Sequence, residues 1–337
     1  MAKVAINGLG RIGRAALKIL LETDDMELIA VNDIADIENI AYLLRYDTVY
    51  GRYDREVRVE DGNLVIDGQR IPYLSERDPA NLPWGDMNVD IVIESTGFFT
   101  RQEDAGKHIQ AGARAVVISA PSKSEDVPTV VHGVNTSSGD KMILSCASCT
   151  TNNIAPVVEI MDRHFGVAKA IMTTIHAYTS SQQIVDGPAK KDFRRGRAGA
   201  ENLVPTSTGA AIATTKALPE LENRFDGIAV RVPIPVGSIS DMVFVTERDV
   251  TAEAVNAVFE QEAGTDRYNG ILGVTNEPLV SSDIVMDPRA SIVDLSMTKV
   301  VDGNLVKVLS WYDNEWGYTN QMIREARKLA QNMRVTT

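Results

Sequence analysis

Short apolar runs alternate with segments of helical periodicity over the first third of the chain. Residues 12–20 carry apolar side chains at i, i+3, i+4, i+7 and i+8, which is one face of a helix. Weaker patterns predict helices over 37–44 and 102–111. The apolar runs predict buried strands over 4–6, 28–31, 91–93, 115–118 and 142–144. Strands separated by helices in this way predict right-handed crossovers and a mostly parallel sheet.

The pattern changes after Ser148. A helix is predicted from there to about Phe165, with Pro156 expected to kink or restart it. The polar stretch 179–205 is too long for an ordinary connection and predicts a functional loop. A second sheet and a final helix are predicted from apolar segments at 168–176, 227–233, 242–246, 292–300, 305–311 and 320–332.

Length and composition bound the architecture. A chain of 337 residues exceeds the size at which one hydrophobic core stops growing, so two domains are expected. We expect an α/β nucleotide domain with a doubly wound parallel sheet over 1–148, joined by a C-terminal helix at about 313–337. An α+β catalytic domain is expected over 149–312. No apolar run approaches the roughly 18 residues of a membrane span, and the first strand begins too early for a signal peptide.

Charge and cysteine content narrow the functional class. A formal net charge of −12 argues against general nucleic-acid binding, which depends on neutralising phosphates. Screening acts over about 8 Å, so a local basic cluster can still bind phosphate. One such stretch contains Lys190, Lys191, Arg194, Arg195 and Arg197. The chain has only two cysteines, which excludes a disulfide scaffold and favours a reducing compartment. We therefore expect a cytoplasmic protein without a membrane partner.

A glycine-rich turn follows the first predicted strand. Gly8, Gly10 and Gly13 have G-x-G-x-x-G spacing and open the first predicted helix. The first permits a tight turn, the second lets the backbone approach a pyrophosphate, and the third lets helix and strand pack closely. Asp33 follows the second strand, where a carboxylate would bind the adenosine ribose and repel a 2′-phosphate. The strand, glycines, helix, second strand and aspartate follow in this order, which predicts a Rossmann-type domain that prefers NAD to NADP. The alternative is a chance glycine turn with a surface aspartate.

Cys146 and Cys149 have the spacing of a redox pair. In such pairs both sulfurs lie near the first turn of a helix. Cys146 instead ends an apolar run, so we interpret it as a small buried residue. Two cysteines without a nearby histidine also make a poor zinc site, and no metal site is predicted.

Cys149 has a more reactive setting than Cys146. The segment 148–152 predicts a helix N-terminus, whose positive end would lower the thiol pKa and favour the thiolate. His176 ends an apolar run and could supply a base. The other histidines have less suggestive positions: His108 in a surface helix pattern, His132 near a turn and His164 at a helix end. The residues alone leave a Cys149–His176 pair open.

Five longer motifs resemble those of the glyceraldehyde-3-phosphate dehydrogenase family. They are INGLGRIGR at 6–14, SAPSK at 119–123, ASCTTN at 147–152, PTSTGAA at 205–211 and WYDNE at 311–315. They follow the expected order, so the resemblance covers essentially the whole chain. It implies phosphorylating, NAD-dependent oxidation of glyceraldehyde 3-phosphate to 1,3-bisphosphoglycerate, a reaction of glycolysis and gluconeogenesis. It also implies a homotetramer.

The resemblance gives Cys149 and His176 their roles. Cys149 would attack the aldehyde carbon to form a hemithioacetal, and His176 would accept the hydroxyl proton as hydride leaves for the nicotinamide. Inorganic phosphate would then attack the thioester and release an acyl phosphate.

The resemblance also implies two anion sites beside the thiol and a set of cofactor contacts. Thr179 and Arg231 match one anion site, and Ser148, Thr208 and Gly209 match the other. Thr150 and Arg195 complete the substrate- and phosphate-binding set, with Arg195 in a loop that neighbouring subunits share. The cofactor-binding set is Gly8, Gly10, Arg11, Ile12, Gly13, Asp33, Arg77, Ser119 and Asn314. The basic stretch is therefore interpreted as part of that loop, with a solvated face as the alternative.

Three positions depart from or refine the family pattern. Asn153 stands where a second cysteine is usual, so redox chemistry assigned to that thiol is absent. Ser181 replaces an acidic residue two places after Thr179, which puts the detail of that anion site in doubt. Pro188 resembles the NAD-selective members rather than the dual-cofactor ones.

Two other functions remain open from the sequence. Erythrose-4-phosphate dehydrogenase shares the thiol and the histidine, but the motif at 206–209 resembles the inorganic-phosphate site of the phosphorylating enzyme. A catalytically idle NAD-binding or regulatory protein is the other alternative, and the intact Cys149 and His176 argue against it.

Overall fold

The computed structural model describes residues 1–136, 142–190 and 192–335. The chain folds into two compact units. The first contains Met1–Val130, Ser137–Ala147 and Met322–Thr337, and the second contains Val131–Thr136 and Ser148–Gln321. The domain boundaries inferred from the sequence stay a prediction. Lys191 of the basic stretch and the last two residues of the predicted C-terminal segment lie outside the described residues.

The first unit contains the predicted α/β pattern. Its helices are α1 (Arg11–Leu20), α2 (Ile37–Arg45) and α3 (Gln102–Gln110). Its strands are β1 (Ala2–Asn7), β2 (Met26–Asn32), β3 (Tyr46–Asp47), β4 (Gly51–Arg52), β5 (Val57–Glu60), β6 (Asn63–Ile66), β7 (Gln69–Leu74), β8 (Ile91–Glu94), β9 (Ala115–Ile118) and β10 (Ile143–Ser145). All five apolar runs lie in strands of one sheet, which confirms those predictions.

The main sheet of the first unit has the order β10-β9-β8-β1-β2-β7-β6-β5. Pairing is parallel from β10 through β7, and β5, β6 and β7 form an antiparallel edge. The mostly parallel sheet is therefore confirmed. Asn7 pairs in register with Asn32 on one side and with Glu94 on the other. Three polar strand ends thus meet at the carboxyl edge of the sheet, where α/β proteins bind ligands.

His108 corrects one expectation about this unit. It was placed in a surface helix pattern, yet its side chain in α3 has no exposed area. Its ring nitrogens lie 3.0 Å from the Trp84 Nε1 atom and 3.0 Å from a carboxylate oxygen of Glu94. Both ring nitrogens therefore have hydrogen-bond partners that replace water, which is how a polar ring is accommodated in a core.

The second unit is built on another eight-stranded sheet. Its helices are α4 (Cys149–Phe165), α5 (Ala210–Ala217) and α6 (Ala252–Ala263), and α7 (Trp316–Val335) begins in it and continues into the first unit. Its strands are β11 (Val167–Ala177), β12 (Val204–Ser207), β13 (Phe225–Val232), β14 (Ser238–Thr246), β15 (Leu272–Thr275), β16 (Ser291–Asp294), β17 (Lys299–Val301) and β18 (Leu305–Tyr312). The order is β12-β13-β11-β14-β18-β16-β15, with β17 paired to β18.

One local prediction in the second unit is wrong, and for the helix at Pro156 one of the two expected outcomes, a restart, is excluded. The segment 292–300 is two strands, because Leu295–Met297 forms a 3-10 turn in which Ser296 Oγ donates to Asp294 Oδ1 at 2.7 Å. Helix α4 does not restart at Pro156 but continues to Phe165. The proline removes one backbone donor, while the helix buries Val157, Met161 and other apolar residues in the core of this unit. Packing of the helix against the core of this unit therefore outweighs the local tendency of Pro156 to interrupt it.

Within the described residues, no helix is both long enough and apolar enough to span a membrane.

Candidate active site

Cys149 is the first residue of α4. Ser148 caps this helix with extended backbone, and its Oγ atom accepts the Thr151 amide N–H at 3.1 Å. The predicted helix start is therefore confirmed. Cys146 is only 2% exposed, which agrees with its interpretation as a small buried residue.

His176 lies beside the Cys149 thiol. The Sγ atom is 3.4 Å from His176 Nε2, and the ring Nδ1 is 2.7 Å from the carbonyl oxygen of Ala177. In the tautomer that carries its proton on Nδ1, the ring donates to this carbonyl, which can only accept. Nε2 is then the unprotonated nitrogen that faces the sulfur. This tautomer can accept a proton from the thiol or from a group bonded to it.

Arg231 is placed next to His176 by strand register. The two residues are paired between the parallel strands β13 and β11. Arg231 Nη1 lies 2.6 Å from His176 Nδ1 and 3.1 Å from the Ala177 carbonyl oxygen. The Ala177 carbonyl can accept from both groups, whereas Nδ1 can accept from Arg231 only in the other tautomer, which carries its proton on Nε2. Arg231 Nε is buried without a hydrogen-bond partner within the described chain, so it retains a donor for an anion.

Burial sets the protonation of the pair. Burial, followed by the charge of Arg231, lowers the pKa of His176 to about 3. Burial also raises the pKa of the Cys149 thiol, and the Arg231 charge opposes this shift without reversing it. The direction is opposite to the lowered thiol pKa expected from the sequence, because burial outweighs the Arg231 charge and the Thr150 hydrogen bonds that favour the thiolate. Both shifts favour the neutral thiol and the neutral imidazole.

Tyr312 supports this pair from the last strand of the sheet. Its hydroxyl lies 2.9 Å from Thr150 Oγ1 and 2.8 Å from Thr174 Oγ1, and its ring meets the His176 ring edge-on at 5.9 Å between centroids. Tyr312 is 1% exposed. The sequence analysis missed this contact, although Tyr312 belongs to the motif at 311–315. Thr150 thus connects the start of α4 with β18, and its part in substrate binding stays a prediction.

The predicted anion-binding residues are only partly brought together. Arg195 Nε donates to Thr206 Oγ1 at 3.0 Å. Burial lowers the pKa of Arg231 and the charge of Arg195 adds to that shift, so the two guanidinium groups are within electrostatic reach.

The remaining predicted anion-site residues have local contacts. Thr179 Oγ1 lies 2.9 Å from Ser181 Oγ, so the serine pairs with the threonine directly. Thr208 Oγ1 accepts the Ala210 amide N–H at 3.2 Å, and Gly209 caps α5. None of these contacts joins Thr179, Thr208 or Gly209 to the thiol in the part of the chain that is described.

Asn314 is connected to the same catalytic segment. The Ala177 amide donates to Ser238 Oγ at 3.1 Å, and Ser238 Oγ donates to Asn314 Oδ1 at 2.9 Å. The Gly237 amide also donates to Asn314 Oδ1 at 3.2 Å. Gly237 and Ser238 thereby fix the orientation of the Asn314 amide, whose nitrogen is left as a donor.

The first unit contains a cavity of about 550 Å³ at the carboxyl edge of its sheet. Four predicted cofactor residues line it: Gly8, Gly10, Asp33 and Arg77. Residues that the sequence analysis did not single out also line it: Asn7, Asn32, Ile34, Glu76, Ser95, Thr96, Phe98 and Phe99. Position along the chain could have indicated them, because each ends, or follows within five residues, one of the strands β1, β2, β7 and β8.

Other predicted cofactor residues have packing or helix-end positions. A Cβ atom at Gly13 would collide with the Gly8 carbonyl, so this glycine allows α1 to approach the turn. Arg11 Nη1 lies 2.5 Å from Asp47 Oδ2. Ile12 is the second residue of α1, and the Ser119 amide donates to the Glu94 carbonyl at 2.9 Å.

The glycine turn fits a dinucleotide phosphate. Gly10 caps α1 without a side-chain hydrogen bond, and the first turn of the helix has no acidic residue. A Cβ atom at Gly10 would meet no atom within 4 Å, so packing within the protein does not require glycine there. The open space before the positive end of α1 suits a pyrophosphate.

Asp33 is held at the wall of this cavity. Its Oδ2 atom accepts the Leu9 amide at 2.6 Å, and its Oδ1 atom accepts the Ala35 amide at 2.9 Å. The carboxylate therefore fixes the glycine turn in addition to facing the cavity. Its remaining lone pairs can accept from ribose hydroxyls.

A dinucleotide-type α/β unit and a second unit with a cysteine–histidine pair define a thiol-dependent nicotinamide oxidoreductase. Residues 2–102 match the family described as glyceraldehyde 3-phosphate dehydrogenase, NAD binding domain, and residues 148–314 match its C-terminal domain. The chain belongs to the glyceraldehyde-3-phosphate dehydrogenase family, and its cofactor is NAD.

Curated relatives extend this match over nearly the whole chain. Glyceraldehyde-3-phosphate dehydrogenase of Streptomyces coelicolor is 51% identical over 325 residues, which are 95% of this chain and 96% of that protein. Glyceraldehyde-3-phosphate dehydrogenase 1 of Bacillus subtilis is 48% identical over 98% of both chains. The enzyme of Geobacillus stearothermophilus is 48% identical over 97% of this chain and 98% of its own length.

Proposed function

We propose that this protein oxidises glyceraldehyde 3-phosphate to 1,3-bisphosphoglycerate with NAD and inorganic phosphate. The observation that carries the proposal is the 3.4 Å separation between Cys149 Sγ and His176 Nε2. This contact supports a nucleophile–base pair, and the Ala177 carbonyl, 2.7 Å from the other ring nitrogen, favours the tautomer in which Nε2 is the base. Family membership supplies the substrate class.

In the first half of the reaction, Cys149 Sγ attacks the aldehyde carbon. His176 Nε2 accepts the thiol proton and returns it to the new alkoxide, which gives a hemithioacetal. Bound NAD supplies the hydride acceptor. His176 Nε2 then accepts the hydroxyl proton as the hydride leaves the hemithioacetal carbon, and a thioester to Cys149 remains. Burial of the pair supports this order, because the imidazole is neutral before each proton arrives.

In the second half, inorganic phosphate attacks the thioester carbon. The carbon–sulfur bond breaks, the acyl phosphate leaves, and the Cys149 thiolate regains a proton from His176. Arg231 supports this step because its Nη1 atom lies 2.6 Å from His176 Nδ1, its charge acts on the Cys149 thiol, and its buried Nε donor has no partner among the described residues. Arg195, within electrostatic reach of Arg231, supplies a second positive charge. We assign Thr179 with Arg231 to the substrate phosphate, and Ser148, Thr208 and Gly209 to the attacking phosphate.

Steady-state NADH formation against phosphate concentration tests the reaction. Turnover should saturate with phosphate, and glyceraldehyde 3-phosphate should have a higher kcat/KM than erythrose 4-phosphate. Thr208→Ala should blunt the dependence on phosphate, because it removes a donor to the attacking group. Thr215→Ala is a matched control in α5, since Thr215 Oγ1 bonds only the Ile212 carbonyl of its own helix among the described contacts. Phosphate-independent turnover, or preference for the tetrose, would move the assignment to erythrose-4-phosphate dehydrogenase.

Arg231 should affect both substrate binding and thiol reactivity. Arg231→Leu should cost about 1.5–3 kcal/mol in transition-state binding, the range for charge-assisted hydrogen bonds. It should also shift the pH dependence of Cys149 alkylation upward, because the guanidinium charge lowers the thiol pKa. Arg231→Lys keeps the charge and should shift that dependence less. An unchanged alkylation profile in the leucine variant would contradict the electrostatic role.

Asp33 should determine the choice between NAD and NADP. Asp33→Asn removes the charge and keeps one of the two acceptor oxygens, so kcat/KM for NADP should rise relative to that for NAD. Asp33→Gly should also weaken NAD, because the Leu9 and Ala35 amides lose their shared acceptor. The measurement is kcat/KM for both cofactors in the three proteins. Equal values for NAD and NADP in the wild type would refute the assignment of Asp33.

The assembly and cellular location follow from the family. We infer a homotetramer in the cytoplasm, with the segment 179–205 shared between subunits. Exposed apolar side chains in this segment support a protein contact there: Ile184, Val185, Phe193 and Leu203. Sedimentation of the full chain measures the subunit number.

A further inference from the structure

A buried carboxylate lies next to the nucleotide cavity without lining it. Glu94 ends β8 and is 2% exposed. Its register partner Asn7 and the next strand end, Asn32, both line the cavity. Burying a carboxylate costs free energy unless its hydrogen bonds are satisfied. The hydrogen-bond partners of Glu94 therefore decide how this burial is tolerated.

The proton positions around Glu94 are determined by chemistry. Trp84 Nε1 can only donate, and it lies 3.0 Å from His108 Nδ1, so Nδ1 accepts. His108 is therefore neutral, with its proton on Nε2. That nitrogen donates to Glu94 Oε2 at 3.0 Å. Since the histidine carries no charge, this contact is a hydrogen bond and not an ion pair.

Every other described neighbour of the carboxylate is also a neutral donor. Asn7 Nδ2 donates to Oε2 at 2.6 Å. The Thr96 amide and the Thr96 hydroxyl donate to Oε1 at 2.8 and 2.5 Å. Three of these four contacts come from N–H groups, which fix the carboxyl group as their acceptor, whereas the Thr96 hydroxyl can donate or accept.

This arrangement fixes the residues of the cavity wall. Since Asn7 must present its nitrogen to Glu94, its oxygen accepts from Asn32 Nδ2 at 2.7 Å. Asn32 then binds both backbone groups of Glu76, with its nitrogen 2.9 Å from the carbonyl and its oxygen 2.8 Å from the amide. No amide in this chain can flip without placing two donors together. The series of hydrogen bonds with fixed directions therefore extends from Trp84 to Glu76, the residue that precedes Arg77.

We propose that Glu94 is a positioning residue for NAD. It aligns three segments that line the cavity: Asn7, Asn32 with Glu76, and Thr96. The hydrogen bonds between them form one network with fixed donors and acceptors, to which His108 also belongs. The proposal rests on the NAD-dependent function above. Burying a carboxylate without a cation costs free energy and is a poor means of stabilising a sheet. A carboxyl group that accepts from several N–H donors instead fixes which atom donates and which accepts in the side chains of the cavity wall.

Titration of the ligand-free full chain with NAD by calorimetry tests this role. Glu94→Gln places an amide donor against a shell of donors. We expect the Kd for NAD to rise at least about tenfold, because more than one hydrogen bond must rearrange. The alkylation rate of Cys149 should stay unchanged, since the thiol belongs to the other unit's machinery. Thermal unfolding is measured alongside, so that loss of affinity is compared at equal folded fraction.

Glu262→Gln is the matched control. Glu262 is also a buried carboxylate, 5% exposed, but it pairs with Arg163 and His164 in the second unit. The control should lower Tm and leave the Kd for NAD unchanged. Equal weakening of NAD binding in both variants would reduce Glu94 to a general structural role and overturn the proposal.

Variants at His108 keep the test decisive if Glu94→Gln does not fold. Glutamine can donate to Glu94 and accept from Trp84, whereas leucine can do neither. His108→Gln should keep the Kd within about threefold of wild type and His108→Leu should exceed that, by the usual worth of a hydrogen bond. Equal affinities in the two variants would contradict the network. Wild-type protein that binds no NAD would instead refute the proposed function, independently of Glu94.

Discussion

Replacing Cys149 with serine should lower steady-state turnover by roughly 10⁴-fold or more, the scale on which removing a covalent nucleophile acts. The hydroxyl is a far weaker nucleophile at the same position, and no thioester can form. The fold should be retained, because Ser148 rather than Cys149 caps α4. NADH formation with saturating phosphate measures the loss, and NAD affinity by calorimetry shows that the first unit is intact.

Cys146→Ala provides the matched control for this prediction. Cys146 is 2% exposed, and burial raises its thiol pKa well above the ordinary value. Iodoacetamide should therefore label Cys149 first, with loss of turnover in step with labelling. The Cys146→Ala protein should keep most of its activity and its labelling rate. Activity that survives complete labelling of Cys149 would remove the thiol from the mechanism.

The framework of the first unit was predictable because its signals are local. The parallel strands β1, β2, β8, β9 and β10 are mostly buried, so each is a short, nearly continuous apolar run. Strands β5, β6 and β7, over 57–74, mix buried and exposed positions without a regular alternation and are not predicted from the sequence. Their pairing depends on an edge position in the sheet, which a short segment without a clear pattern does not specify.

His108 shows a second limit of pattern analysis. A helix with few apolar residues was interpreted as a surface element, but Trp84 and Glu94 supply both hydrogen bonds that this ring needs. Those partners lie 24 and 14 positions away in the sequence. The burial of a polar ring is decided by such distant partners, and no local pattern indicates it.

The catalytic pair was only half determined by local sequence. The cap at Ser148 and the helix start at Cys149 follow from neighbouring residues, and the structure confirms them. The approach of His176 and Arg231 depends on the pairing of β11 with β13, which are separated by the long loop over 179–205. The direction of the thiol pKa shift was wrong because it depends on burial, a property of the assembled unit.

His164 offers the control for the second catalytic residue. It lies near the end of α4, where its Nε2 atom is 2.8 Å from Glu262, and it has no contact with the thiol among those described. His164→Asn should therefore keep turnover close to that of the wild type. Any general effect of replacing a histidine in this unit would appear in that variant.

His176→Asn should lower kcat by about 10²–10⁴-fold, the range that general acid–base catalysis contributes. Asparagine can still donate to the Ala177 carbonyl, but it has no lone pair of comparable basicity at the position of Nε2, 3.4 Å from the sulfur. The hemithioacetal hydroxyl then loses its proton acceptor as the hydride leaves. Alkylation of Cys149 near neutral pH should also slow, because burial raises the thiol pKa and the imidazole no longer takes the proton. At alkaline pH solvent hydroxide removes that proton, and the alkylation rates of variant and wild type should converge. An alkylation rate that is unchanged at neutral pH would mean that the two side chains do not exchange a proton.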